Sequence, residues 1–179
     1  MSWFRQTKSV LLKDLQMEWR TRFAINTVAA FVTASLLLIL FTIRADQLEP
    51  IPRSALVWII ILFASLSTLS RSFISETDKR TYDLLRIYTS GSGSPVFSGK
   101  LINNYLFSLL VNILTFSLYI FLVDLDILSW PAFLIILILG TAGISGVSTL
   151  VAAIVSQADR KGAIFSVLSI PLYMPMILL

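Results

Sequence analysis

The chain contains no cysteine and no histidine. The first absence excludes a disulfide framework and a thiolate metal site. The second removes the commonest metal ligand and the usual general base. Charge is scarce as well: 13% of residues are charged and 56% are apolar, an apolar share above that of an ordinary soluble domain. Residues 23–43, 54–70, 101–123, 127–158 and 162–179 carry no charge at all. A membrane-crossing helix needs about 20 mostly apolar residues, and these runs reach or approach that length. A soluble fold would require several all-round apolar helices with nothing to cover them. We therefore read an all-α polytopic membrane protein with spans at about 23–43, 54–74, 101–123, 131–155 and 163–179. No small-residue cleavage site follows the first run, so a cleaved signal peptide is not expected.

The basic residues sort by side. Arg5, Lys8, Lys13, Arg20 and Arg22 precede the first span, and Arg44 and Arg53 follow it. Arg71, Lys79, Arg80, Arg86 and Lys100 lie between the second and third spans, none lies beside Asp124 and Asp126, and Arg160 and Lys161 precede the last. The positive-inside rule places the N-terminus, the central loop and the Arg160 loop in the cytoplasm. The net charge of +4 is accounted for by this asymmetry, and no nucleic-acid partner is expected. Within residues 1–22, Phe4, Leu11, Leu12, Leu15 and Trp19 share one helical face, interrupted by Lys8 and Glu18. This predicts a cytoplasmic, interfacial elbow helix leading into the first span. Gly140, Gly143 and Gly146 give the fourth span a small-residue surface of the kind that lets helices pack closely. Pro171 and Pro175 are expected to break or kink the last run.

The chemistry of an enzyme is missing. Ser94–Lys100 superficially follows a phosphate-binding loop, but Ser94 stands where that pattern needs glycine, and Leu101 stands where it needs serine or threonine. No metalloprotease motif or nucleophile elbow occurs. The charge-free runs also lack the intramembrane carboxylates that ion-driven carriers use. No catalytic residue, metal site or bound cofactor is expected.

One charged island remains, Glu76-Thr-Asp-Lys-Arg-Thr-Tyr-Asp-Leu-Leu-Arg86, between apolar segments. Each charge at the centre of a spanning helix costs about 2.5–3.5 kcal/mol, so the island must meet water. Tyr82, Leu84, Leu85, Ile87 and Tyr88 give it an apolar face. So short a helix is marginal alone, and it is expected to dock on a partner, with the loop 75–100 as the contact region.

Here the sequence resembles a known family. Arg71-x-Phe73-x-x-Glu76, the charged run, Leu84-Leu85, Pro95 and Lys100-x-x-x-Asn104 resemble the haem exporter B family, the membrane permease subunit of the cytochrome c maturation ABC transporter. Gly140 to Gly146, Arg160-Lys161-Gly162-Ala163 and Pro171-Leu172-Tyr173-Met174-Pro175 support the resemblance, the last segment most distinctively, through Pro171, Tyr173 and Pro175. Thr81 and Asp83 depart from it, standing where the family has glycine and glutamate. The resemblance implies an ABC-2-type permease helix bundle, with five spans visible of an expected six. It implies an ATPase partner that hydrolyses ATP for the complex, further haem-handling membrane subunits, a periplasmic haem chaperone and a homodimeric permease core in the bacterial inner membrane. Haem enters as cargo, with either its export or the release of a haem-loaded chaperone as the output. The resemblance makes the island a coupling helix, in which Glu76, Asp83, Leu84, Leu85 and Arg86 are the expected ATPase contacts. The alternatives are an ABC-2-type permease for a lipid-linked glycan or a drug, and a non-transporting membrane scaffold.

Overall fold

The computed structural model describes residues 3–43, 49–69, 93–123, 127–156 and 161–177, together with Phe73, Glu76, Thr81, Leu84, Leu85, Ile87 and Thr89. Among the described residues six long helices occur and no strand. They are α1 (Trp3–Thr21), α2 (Phe23–Leu38), α3 (Pro50–Leu69), α4 (Ser94–Val123), α5 (Trp130–Val155) and α6 (Lys161–Ile177), with α2 continuing as a π-helical turn over Ile39–Ile43. Among the described residues three segments are long and apolar enough to cross a membrane: Phe23–Thr42, Ser94–Val123 and Trp130–Val155. The predicted second and fifth spans fall on α3, whose apolar stretch Ile51–Ser67 is shorter, and on the 17 residues of α6.

Arg22 makes the corner between α1 and α2. Its φ of 51° lies in the left-handed region, unusual for a residue with a side chain. The turn stays bonded on both sides, Arg22 N–H to the Glu18 carbonyl at 2.8 Å and Asn26 N–H to the Arg22 carbonyl at 3.0 Å. The chain is thus redirected at a single residue, with a backbone bond on each side of the corner.

Two boundaries differ from the sequence reading. Lys100 ended the charge-free run at 101, yet α4 already begins at Ser94. Pro95 suits a first helical turn, where its missing N–H is not needed, and the Phe97 N–H bonds the Gly93 carbonyl at 3.0 Å. The last run is not broken at its prolines, since α6 continues through Pro171 to Ile177.

α4 packs between α1 and α5, and α6 packs on α5. The core includes Val28, Val32 and Leu36 of α2, Ile61 and Ala64 of α3, and Val151 and Ala152 of α5. Trp58, Phe116, Phe133 and Trp130 form a chain of edge-to-face rings where α3, α4 and α5 meet, with centroids 5.9, 4.9 and 6.1 Å apart. Leu134, Ile135, Ile138, Leu139, Leu150 and Ile154 of α5 are exposed. Apolar side chains on the outside of an apolar helix are what hydrocarbon surroundings require.

Candidate functional site

The face that α1 turns inward is Gln6, Thr7, Val10 and Asp14. Its outward face carries Trp3, Phe4, Leu12, Leu15 and Trp19, all exposed. Arg5, Lys8, Gln16 and Arg20 are exposed as well, so the exposed surface of α1 mixes large apolar side chains with basic and polar ones. Against the inward face lies the start of α4. A Cβ on Gly99 would stand 2.8 Å from Val10 Cβ and 3.0 Å from the Thr7 carbonyl oxygen. Only glycine lets the two backbones approach this closely.

Next to that contact sits Lys100, 1% exposed. Its Nζ lies 3.1 Å from Asp14 Oδ2, 3.4 Å from Glu76 Oε1 and 5.4 Å from the centre of the Phe73 ring. Lys13 completes the set, 3.2 Å from Asp14 Oδ1 and hydrogen-bonded to Glu76. The cluster joins two ammonium groups to two carboxylates. A buried charge is tolerable only when paired and hydrogen-bonded in this way. It ties three parts of the chain together: α1 through Lys13 and Asp14, the island through Glu76, and α4 through Lys100.

Burial pushes the Glu76 carboxyl up, but the Lys100 charge and hydrogen bonds from Lys13 and Thr81 outweigh it and hold the group below its ordinary value. Burial likewise pushes the Lys13 ammonium down. Its hydrogen bond to Glu76 and the charges of Asp14 and Glu76 raise it above its ordinary value.

The structure divides the expected island residues. Glu76 was expected to face a partner, but it is 3% exposed and points into the protein. It is an anchor, because burial with Lys13 and Lys100 satisfies a charge that would otherwise need water. The single helix expected over Glu76–Arg86 is also interrupted. Thr81 is not helical; its Oγ1 donates to Glu76 Oε2 at 2.5 Å and its N–H to the Glu76 carbonyl at 2.9 Å. The chain then resumes helical bonding, Leu85 N–H to the Thr81 carbonyl at 3.1 Å and Thr89 N–H to the Leu85 carbonyl at 3.0 Å. Leu85 packs against the core, whereas Leu84 is 64% and Ile87 76% exposed. A groove lined by Lys13, Met17, Glu76, Thr81, Leu84 and Leu85 runs between α1 and the island. Asp83 and Arg86 lie outside the described residues.

The remaining expected residues lie in the bundle. A Cβ on Gly146 would meet nothing within 4 Å, and Gly140 and Gly143 lie on the same helix, α5, partly buried. Tyr173, 1% exposed, hydrogen-bonds Ser148 of α5, while Pro171 is exposed. Pro175 falls within α6.

Sequence reasoning passed over a polar seam between α4 and α5. Asn104 Nδ2 donates to Thr149 Oγ1 at 2.9 Å, and Asn112 Nδ2 donates to Thr141 Oγ1 at 2.8 Å. The available signal was the four-residue spacing of Lys100, Asn104, Ser108 and Asn112.

These features fit a multi-pass helical membrane protein of the permease class, in which Glu76 of the charged island is braced against α1 and the long helix α4. The particular family follows from comparison: a model of the CcmB protein family matches residues 5–179, and the chain belongs to that family. This is the haem exporter B family of cytochrome c maturation permeases, membrane components of an ABC transporter complex with other maturation subunits. No curated protein and no solved structure matches the chain.

Proposed function

We propose that this chain couples ATP hydrolysis in a separate ATPase subunit to haem export, or to release of a haem-loaded chaperone, in cytochrome c maturation. The observation that carries the reading is the island, which presents Leu84 and Ile87 outward while Glu76 is fixed inward by Lys13 and Lys100. Exposed apolar side chains on a charged loop are a surface for a partner. The buried ion cluster beneath them passes a push or pull on the loop to α1 and α4. In this reading the N-terminus and the island face the cytoplasm of a bacterial inner membrane, as the basic residues indicate. α1 is the elbow, two copies form the permease core, and ATP hydrolysis belongs to the partner. Haem passes as cargo, handed to a periplasmic chaperone by neighbouring subunits.

Replacing Leu84 and Ile87 by Asp tests the docking surface. Both side chains are exposed, so the fold should survive, and co-purification of the ATPase subunit should be lost. Undiminished co-purification would refute docking at this surface. Leu85 is the wrong choice for this test, because it packs against the core and its replacement would disturb the fold itself.

A further inference from the structure

The two hydrogen bonds of the α4–α5 seam fix an antiparallel register. Ser108 lies midway between Asn104 and Asn112, and Ser145 lies midway between Thr141 and Thr149, so Ser108 stands opposite Ser145. The α5 hydroxyls all donate to their own helix: Thr141 to the Leu137 carbonyl at 2.5 Å, Ser145 to Ala142 at 3.1 Å and Thr149 to Ser145 at 2.5 Å. Each therefore offers only lone pairs across the seam. α4 offers donors at the same four-residue spacing, namely the amides of Asn104 and Asn112 and the hydroxyl of Ser108. Three like donors face three like acceptors, and two of the pairs are made. Ser108 Oγ is buried without a hydrogen-bond partner, as is Asn112 Oδ1, although Ser108 is 3% and Asn112 1% exposed. Unsatisfied polar atoms inside a membrane helix pair are costly.

We propose that this seam is a two-position ratchet, in which α4 slides along α5 by four residues, about one helical turn or ~6 Å, toward the end that holds Lys100. In the second position Ser108 meets Thr149 and Asn112 meets Ser145. Two hydrogen bonds are made again, and Ser108 is now satisfied. Asn104 passes Ala153 toward the water-facing end, and Lys100 moves away from the bundle. The opposite slide is blocked, because it would bring Asn112 against Leu137 and drive the Lys100 charge in to Thr149. The ion cluster and the close Gly99–Val10 contact hold the first position, so releasing Lys100 frees α4 to move. The inference rests on the reading above only for what pulls the helix, a nucleotide-driven ATPase subunit. One-turn steps of one packed element past another are an established kind of switching motion.

The chain has no cysteine, so introduced thiol pairs report register without background. Ser108→Cys with Ser145→Cys marks the first position, and Ser108→Cys with Thr149→Cys marks the second. Both are made in the full chain in membranes, with the ATPase subunit, and cross-linked with and without non-hydrolysable ATP. The first pair should cross-link without nucleotide, which also shows that the seam has formed. The second should cross-link several-fold more with nucleotide, and likewise without nucleotide or partner when Lys100→Gln is added. A rise with Lys100→Gln alone would uphold the ratchet while removing the ATPase from the account. Absence of the second cross-link under all these conditions, with the first constant throughout, would overturn the ratchet. So would failure of the first pair to cross-link.

Discussion

At Gly99 there is no room for a side chain, and the neighbouring Lys100 is buried between Asp14 and Glu76. A Cβ at Gly99 would overlap Val10 of α1, so Gly99→Ala should cost about 1–3 kcal/mol, the usual range for overpacking. Gly146 has open space around its missing Cβ, and Gly146→Ala should be neutral or stabilise by up to about 1 kcal/mol through helix propensity. Thermal unfolding of the two variants in the same detergent checks the contrast. Lys100→Met leaves Asp14 and Glu76 short of a cation and should destabilise by about 3–5 kcal/mol, the range for breaking a buried pair. The signs of the Glu76 and Lys13 shifts set a pH window. Glu76 is held below its ordinary 4.5, so its contribution is present above that value and fades as pH falls through its lowered folded value. Lys13 is held above its ordinary 10.5, so its contribution is full below that value and fades as pH rises through the raised one. Attachment of the island to α1 should therefore be flat between these limits and weaken beyond each, as read by limited proteolysis of the island across pH. The residue types were plain in the sequence and their partners were not. Nothing local in the sequence shows that Glu76 returns to meet Lys13, Asp14 and Lys100.

At the scale of elements, α4 and α5 show what hydropathy reveals and what it conceals. The charge-free runs overlap most of both helices, and α5 begins at Trp130 with Pro131 in its first turn, where a missing N–H costs nothing. α4 extends seven residues ahead of the charge-free run that starts at 101, because ion pairing lets the helix carry Lys100. The prolines of α6 misled in a similar way. Removing a donor matters less where a helix keeps its neighbours, and Tyr173 holds α6 to Ser148 of α5. The glycines of α5 drew attention, while the binding groups are Thr141 and Thr149 with their asparagine partners. Thr141→Val and Thr149→Val keep the shape and remove the acceptors. Each should cost about 0.6 kcal/mol, the average for an interhelical hydrogen bond in a membrane protein. The double variant should lose about the sum, as measured by unfolding in mixed micelles.

On the scale of the whole molecule, the described parts form a connected path. The exposed residues Leu84 and Ile87 sit on the island, the island is pinned by Glu76, and the ion cluster joins it to α1 and α4. α4 meets α5 along a seam of matched polar groups. The class of protein was legible because the bilayer demands long charge-free helices and an aqueous place for charge. The direction in which a load would travel needed the three-dimensional pairing of residues far apart in the chain.

The most direct measurement is a haem stain of c-type cytochromes in cells lacking this gene, complemented either by the wild-type chain or by the chain with Leu84→Asp and Ile87→Asp. We predict that the wild-type chain restores covalently attached haem and that the double variant does not, although it reaches the membrane in equal amount. Full restoration by the variant, or cytochromes unaffected by loss of the gene, would contradict the account.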